Sequence, residues 1–238
     1  MKDRNLLGAA TVVQLLVLAL GAFAPGLVHA SEAGAKLSVE AGAGGAEISA
    51  QADASAKAQG PTKTVQAAAD ELLGRLQENR QVYDSDATAL RDMVREVVFP
   101  KFDFQLTSRW VLGEHWKSAS AEQRQRFVDE FSTLLLRTYS TALRQYDSQR
   151  IEYAPARVNS AGKQAIVRTR VFGEGAPMTV DYRLSLRDGD WLIADARVGN
   201  ISLVETYRSE YASIINRSGM DGLLDRLVEL NRKALERG

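Results

Sequence analysis

Between Met178 and Tyr211 the hydrophobic repeat changes from that of a strand to that of a helix, and this switch limits what the chain can fold into. Val180, Tyr182, Leu184 and Leu186 alternate with Asp181, Arg183, Ser185 and Arg187, as expected of a strand with one buried face. Asp188 and Gly189 tolerate positive φ, and Trp191, Leu192 and Ile193 resume the apolar pattern, so the spacing predicts a hairpin. After Val198 the pattern becomes helical. Ser202 and Glu205 are spaced as a capping box, and Leu203, Val204, Tyr207, Tyr211, Ile214 and Ile215 form one face. A sheet that runs into such a helix must be covered by it, which predicts an α+β domain with a concave layer.

Two further strands precede the hairpin, Ile151 to Val158 and Gln164 to Phe172, giving a four-stranded antiparallel meander. Gly173, Gly175 and Pro177 supply a turn within it, and Arg157, Arg168, Arg170, Arg183 and Arg187 fall on the solvent face. Upstream, Val65, Ala69, Leu72, Leu73 and Leu76 mark one helix, and Leu90, Met93, Val94 and Val97 mark another that Phe99 and Pro100 stop. Tyr83, Asp84 and Ser85 read as the connection between them. Phe102 to Leu112 is too irregular for one long helix and reads as short helices or turns closed by Gly113. Ser120 and Gln123 open the longest helix, whose stripe is Phe127, Phe131, Leu134, Leu135, Thr138 and Ala142. Tyr139 and Tyr146 could line a cavity mouth there, although core contacts are commoner for such phenols. A last helix follows Ser218 and Gly219.

The N-terminus has the three parts of a secretory signal: Lys2 and Arg4, an apolar run from Leu6 to Phe23, and Val28-His29-Ala30 before Ser31. The chain therefore divides into a signal peptide over 1–30, a flexible Ala- and Gly-rich lead over 31–61 and a folded domain over 62–238. An uncleaved anchor is the alternative, disfavoured by Pro25 and Gly26 next to the cleavage site. There is no Cys, which excludes both a lipoprotein anchor and disulfides. Thirty basic residues balance 30 acidic ones, leaving no polybasic footprint for nucleic acid.

Outside the signal, His115 is the only imidazole, so ligand supply argues against a zinc or redox centre. No glycine-rich phosphate loop and no nucleophile elbow is present. Asp181 alternates with the apolar residues and reads as solvent-facing. Asp195 shares the parity of Trp191 and Ile193, which leaves two readings: a base inside a cavity, or a structural ion pair or cap.

WLIADARVGNISLVETYRSEY, the upstream FDFQLTSRWVLGEHW and the helix QRQRFVDEFSTLLLRTYSTAL together resemble the MlaC family of periplasmic phospholipid-binding proteins, also called the toluene-tolerance family. The resemblance spans about residues 65 to 235. It implies a twisted antiparallel sheet of the cone-shaped nuclear-transport-factor type, wrapped by helices around an apolar cavity. It also implies a non-enzymatic carrier that has phospholipid as cargo and no cofactor. Such a carrier shuttles lipid between an outer-membrane lipoprotein and porin complex and an inner-membrane ABC transporter with its periplasmic lipid-binding subunit, maintaining outer-membrane lipid asymmetry. Trp191, Asp195, Ser202 to Val204 and Tyr207 to Ser209 fit the family pattern, whereas Glu210 stands where Gln is commoner and the lead is longer than expected.

For such a carrier, inward strand parity selects Val167, Val171, Val180, Tyr182, Leu184, Trp191 and Ile193 as lipid contacts. The helical stripes add Phe127, Phe131 and Leu135 from one side and Val204, Tyr207 and Tyr211 from the other, with Val111 and Leu112 closing an edge. A monomer that meets its partners transiently is expected. The alternatives from other classes are a small-molecule isomerase or hydrolase using Asp195 or Tyr207, and an envelope interaction module with no cavity.

Overall fold

The computed structural model describes residues 45–144, 150–172 and 176–235. The proposed signal peptide, the lead up to residue 44, Tyr146 and the Gly173 and Gly175 turn lie outside the described residues.

Helix α1 (Gly45–Glu78) begins well before the expected Val65. From residue 45 on the chain is helical, because Ala recurs at every second position from Ala46 to Ala58 except 48 and helix propensity outweighs the lack of an apolar stripe. Pro61 lies inside α1 and removes one backbone donor. From there on Val65, Leu72 and Leu76 are buried. The connection expected at Tyr83 to Ser85 is a short helix, α2 (Arg80–Ser85), separated by Asp86 from α3 (Ala87–Val98). The Asp86 carboxylate accepts from the Thr88 and Ala89 amides and so makes the boundary. A 3-10 turn (Phe99–Lys101) leads to α4 (Phe104–Leu112), which Asp103 caps and Gly113, at φ 56°, ends. A single turn, α5 (His115–Ser118), precedes α6 (Ala121–Leu143). The capping box of α6 is complete, with the Gln123 amide donating to Ser120 Oγ and the Ser120 amide to Gln123 Oε1.

The sheet consists of β1 (Arg150–Tyr153), β2 (Arg157–Val158), β3 (Gln164–Phe172), β4 (Met178–Arg187), β5 (Asp190–Val198) and β6 (Ile201–Ser202). Its order is β1-β3-β4-β5-β6, with β2 also pairing with β3, and all these pairs are antiparallel. The meander is as expected except that the first strand is broken between Tyr153 and Arg157, where Pro155 has no amide to give, and that β6 is added. The sheet is open: β1 and β6 are edges in this order. Asp188 and Gly189 both have positive φ, 53° and 94°, as the tight hairpin requires.

One irregularity alters the reading of β5. Arg183 pairs with Asp195, but Leu184 pairs with Ile193, so Ala194 is an extra residue in a β-bulge. Beyond it the alternation reverses. Ala196 and Val198 take the face of Ile193, Leu184, Tyr182 and Val180, while Asp195 moves to the opposite face, contrary to its sequence parity.

The final helix, α7 (Leu203–Leu235), breaks at Gly219, whose φ of 71° and ψ of 178° belong to a region essentially restricted to glycine. Its two halves grip α6. Tyr207 and Tyr211 of the first half meet Phe131 edge-on, with centroids 5.0 and 5.8 Å away, and Tyr211 also meets Phe127 edge-on. From the second half Asp221 accepts from Gln123 Nε2 at 2.7 Å, Asp225 pairs with Arg126 at 3.2 Å, and Asn231 donates to Glu130. The α6 helix is therefore buried on more than one side: beyond the expected stripe, Leu136 and Leu143 pack against Leu72, Leu76, Leu90 and Met93 of α1 and α3.

Candidate binding cavity

An apolar cavity of about 150 Å³ lies between the sheet and the helices. Its floor is the inward face of the sheet: Ile151, Tyr153, Thr169, Val180, Tyr182, Ile193 and Ala196. Its roof is Val65, Ala68, Ala69 and Leu72 of α1 with Val94 and Val98 of α3. Leu135, Leu136, Tyr139 and Leu143 of α6 form a side, closed by Leu203 and by Phe99, Phe102 and Phe104. Among the described residues no lining side chain carries a charge.

The hydroxyl groups of Tyr139, Tyr182 and Thr169 in this wall are partnered within the protein. Tyr139 hydrogen-bonds Tyr207, and burial pushes both phenols well above their ordinary range. Tyr182 hydrogen-bonds Thr169, and burial pushes its pKa up to about 12. Buried, neutral hydroxyls bonded within the protein leave a dry wall suited to aliphatic ligands.

Of the side chains selected from sequence, Leu135, Val180, Tyr182 and Ile193 line the cavity. Val167 and Leu184 are buried in the layer between sheet and α1, with Trp191 partly buried against it, and Val171 packs with Val180 and Val198. Trp191 meets the α1 backbone so closely that a Cβ on Gly60 would lie 3.1 Å from its indole nitrogen. Val111, Leu112, Phe127, Phe131, Val204, Tyr207 and Tyr211 form the core where α4, α6 and α7 meet. The roof from α1 and α3 was not selected, although the Val65, Ala69, Leu72 and Val94 periodicity that marks it was visible as helix.

Asp195 does not line the cavity. Its Oδ1 accepts from the Val204 amide at 3.1 Å and its Oδ2 from Ser202 Oγ at 2.8 Å, so it caps α7 from the neighbouring strand. Arg183 stands 3.9 Å away. Burial raises the carboxyl pKa, an effect the Val204 amide and Ser202 hydroxyl oppose. The expected capping box is half-made: Ser202 Oγ accepts from the Glu205 amide, but the Glu205 carboxylate pairs with Arg197 at 3.0 Å instead of returning to the Ser202 amide.

A second structural acid escaped the sequence reading. Asp103, 3% exposed, caps α4 through the Leu106 amide and pairs with Arg187 at 3.0 Å. Thr107 donates to the carbonyl of Ala194 at the bulge, so α4 is tied to the displaced residue itself. An acid just before an apolar helical run was the available clue. Among the described residues no cluster of His, Asp or Glu could hold a metal ion, and no helix is long and apolar enough to cross a membrane.

The family model for the MlaC protein matches residues 66–229. The chain is 32% identical over 174 residues to the toluene tolerance protein ttg2D of Pseudomonas putida, a match covering 72% of this chain and 80% of that protein. It is 28% identical over 173 residues to the intermembrane phospholipid transport system binding protein MlaC of Haemophilus influenzae, covering 71% and 81%. Its fold is similar to that of a phospholipid-binding protein from Ralstonia solanacearum solved in complex with a phospholipid, with a TM-score of 0.68, 30% identity and coverage of 74% of this chain and 98% of that one. By its sequence and its fold alike, the chain belongs to the MlaC family.

Proposed function

We propose that this protein is a periplasmic phospholipid carrier that moves lipid between an outer-membrane lipoprotein and porin complex and an inner-membrane ABC transporter with its periplasmic lipid-binding subunit. The observation that carries this reading is an apolar cavity with no charged side chain among its described lining residues, in which the Tyr139, Tyr182 and Thr169 hydroxyls are internally bonded. Each methylene moved from water into such a site contributes roughly 0.8 kcal/mol, so acyl chains dominate affinity and few head-group contacts are needed. The phospholipid held by the Ralstonia relative supports the cargo class, and the name of the Haemophilus relative supports the transport role. Export of the mature chain after residue 30, and a monomer between encounters, belong to the same reading.

A cavity of about 150 Å³ takes a benzene-sized molecule. Loading two acyl chains therefore requires the sheet and helical layers to move apart. The sheet is read as the cone-shaped nuclear-transport-factor type opened along one side, and the Ala194 bulge and the break at Pro155 are the curvature-making features that support this. A catalytic base is not part of the proposal, because Asp195 is committed to the cap of α7 and Tyr207 sits behind Tyr139 in the helical core.

Native mass spectrometry of protein purified from the periplasm without added lipid tests the reading. The expected spectrum carries a mass increment that fragments to phospholipid. Protein that emerges unliganded, and stays so after incubation with phospholipid vesicles, would overturn it.

A further inference from the structure

The face of the sheet opposite the cavity carries a lattice of arginines that the cargo reading does not use. Strand register lines up Arg157, Ile166 and Arg183 in one row, Arg168, Asp181 and Arg197 in the next, and Glu152, Arg170 and Thr179 in a third. Helices α4 and α7 reach this face at its β5 end, where Trp110 lies under Arg183 and Ser202 bonds Asp195. Arg157, Arg168 and Arg170 are exposed, whereas Arg183 is partly covered by Trp110.

Their partners are unequal. Arg168 grips Asp181 through two hydrogen bonds of 2.7 and 2.8 Å. This bond, helped by the nearby charges of Arg157 and Arg197, holds the Asp181 carboxyl below its ordinary range despite partial burial. Arg197 pairs with Glu205 and Arg183 faces Asp195. Glu152, across from Arg170, accepts from Arg150. Arg157 and Arg170 thus make no ion pair among the described residues, although the charge of Arg157 acts on Asp181 from a distance.

We propose that the outer face of β1 to β4 docks an acidic protein surface, with Arg157 and Arg170 as the groups that take its carboxylates and the Arg168–Asp181 pair as a rigid centre. Arg157 pairs with Ile166, and Arg170 lies four residues further along β3, so their strand positions are separated by about 13 Å on either side of the anchored Arg168, which suits carboxylates spread over a folded partner. An anionic bilayer is the poorer fit. Membrane-surface binding joins basic charge to inserted apolar side chains, and among the described residues the large exposed apolar ones are Val82 and Val228 on helices and Leu186 on the other face of β4. The whole chain also has no net charge to draw it to a membrane. The proposal adds a docking surface to the carrier reading and does not depend on what the cavity holds.

The test uses the full mature chain and a fluorescent polyglutamate peptide, with phosphatidylcholine vesicles containing or lacking phosphatidylglycerol as the second probe. Arg157→Glu with Arg170→Glu should weaken peptide binding about tenfold or more, while the charge-matched Arg91→Glu with Arg95→Glu on α3 should weaken it no more than about threefold in moderate salt. Vesicles with phosphatidylglycerol should bind no better than those without. Arg157→Ser with Arg170→Ser provides a milder pair should the reversal unfold the sheet, and circular dichroism identifies the folded variants. Equal losses in the two double variants, no peptide binding by the unaltered chain, or vesicle binding that requires Arg157 and Arg170 would each overturn the proposal. Phospholipid phosphorus measured on the same samples separates this outcome from the cargo reading.

Discussion

Asp195 shows how one displaced side chain changes role. Facing away from the cavity, it satisfies the Ser202 hydroxyl and the Val204 amide, so Asp195→Ala should cost about 2 kcal/mol in urea unfolding through the lost cap and the stranded buried partners. Asp195→Asn keeps an acceptor for Val204 and should leave most co-purifying phospholipid in place. Its folded pKa is raised, so the stability linked to this carboxyl is full below its unfolded pKa of about 4 and is lost as pH rises through the folded value. Asp181 has the opposite sign: its folded pKa is lowered, and its contribution is present above the unfolded value and lost as pH falls. Unfolding midpoints followed from acid to neutral pH should therefore show the unaltered protein losing ground to Asp195→Asn and gaining it over Asp181→Asn. Parallel profiles would contradict both assignments. In the cavity roof, Ala69→Asp places a carboxylate beside the proposed acyl chains at a cost of several kcal/mol or a raised pKa, and should cut lipid phosphorus per mole of folded protein about fivefold. A folded Ala69→Asp with undiminished phosphorus would remove that roof from the site.

At the level of elements, the break in α7 decides how the helical layer closes. Gly219 turns the chain so that the second half of α7 can reach Gln123, Arg126 and Glu130 on α6 while the first half packs Tyr207 and Tyr211 against Phe131. A side chain at that backbone conformation is strained, and Gly219→Ala should lower stability by about 1 to 3 kcal/mol in urea unfolding. An unchanged midpoint would mean that the two halves are not held by this turn. The Ala194 bulge is the corresponding device in the sheet. It sends Asp195 to the α7 cap and lets Ala196, a small residue, continue the cavity floor.

Across the whole molecule, two attachments differ in kind. Helices α4 and α7 are tied to the sheet by buried polar bonds at Asp103, Thr107 and Asp195, whereas α1 meets it through apolar contacts and a long 3.4 Å hydrogen bond from Thr62 to the Ala154 carbonyl. Because loading must widen the cavity, amide exchange should change most in α1 and α3 when phospholipid is added to lipid-stripped protein, and little in α4 or the start of α7. Uniform change, or change confined to α4, would argue for a different moving part.

The sequence alone determined the α+β class, the meander, the tight turn at Asp188 and Gly189, the capping box at Ser120 and the helical stripes, because each follows from interactions within a few residues. The inward strand face at Val180, Tyr182 and Ile193 was legible for the same reason, since alternation holds while register is regular. It failed at Asp195, where a bulge adds one residue that leaves no mark in composition. Local pattern also identified apolar faces without saying which neighbour covers them. Phe127, Phe131, Tyr207 and Tyr211 seal against one another, while Val65, Ala69 and Val94, equally apolar, are left facing the cavity. That division depends on how α1, α3, α6 and the sheet are spaced in three dimensions, and only their tertiary packing decided it.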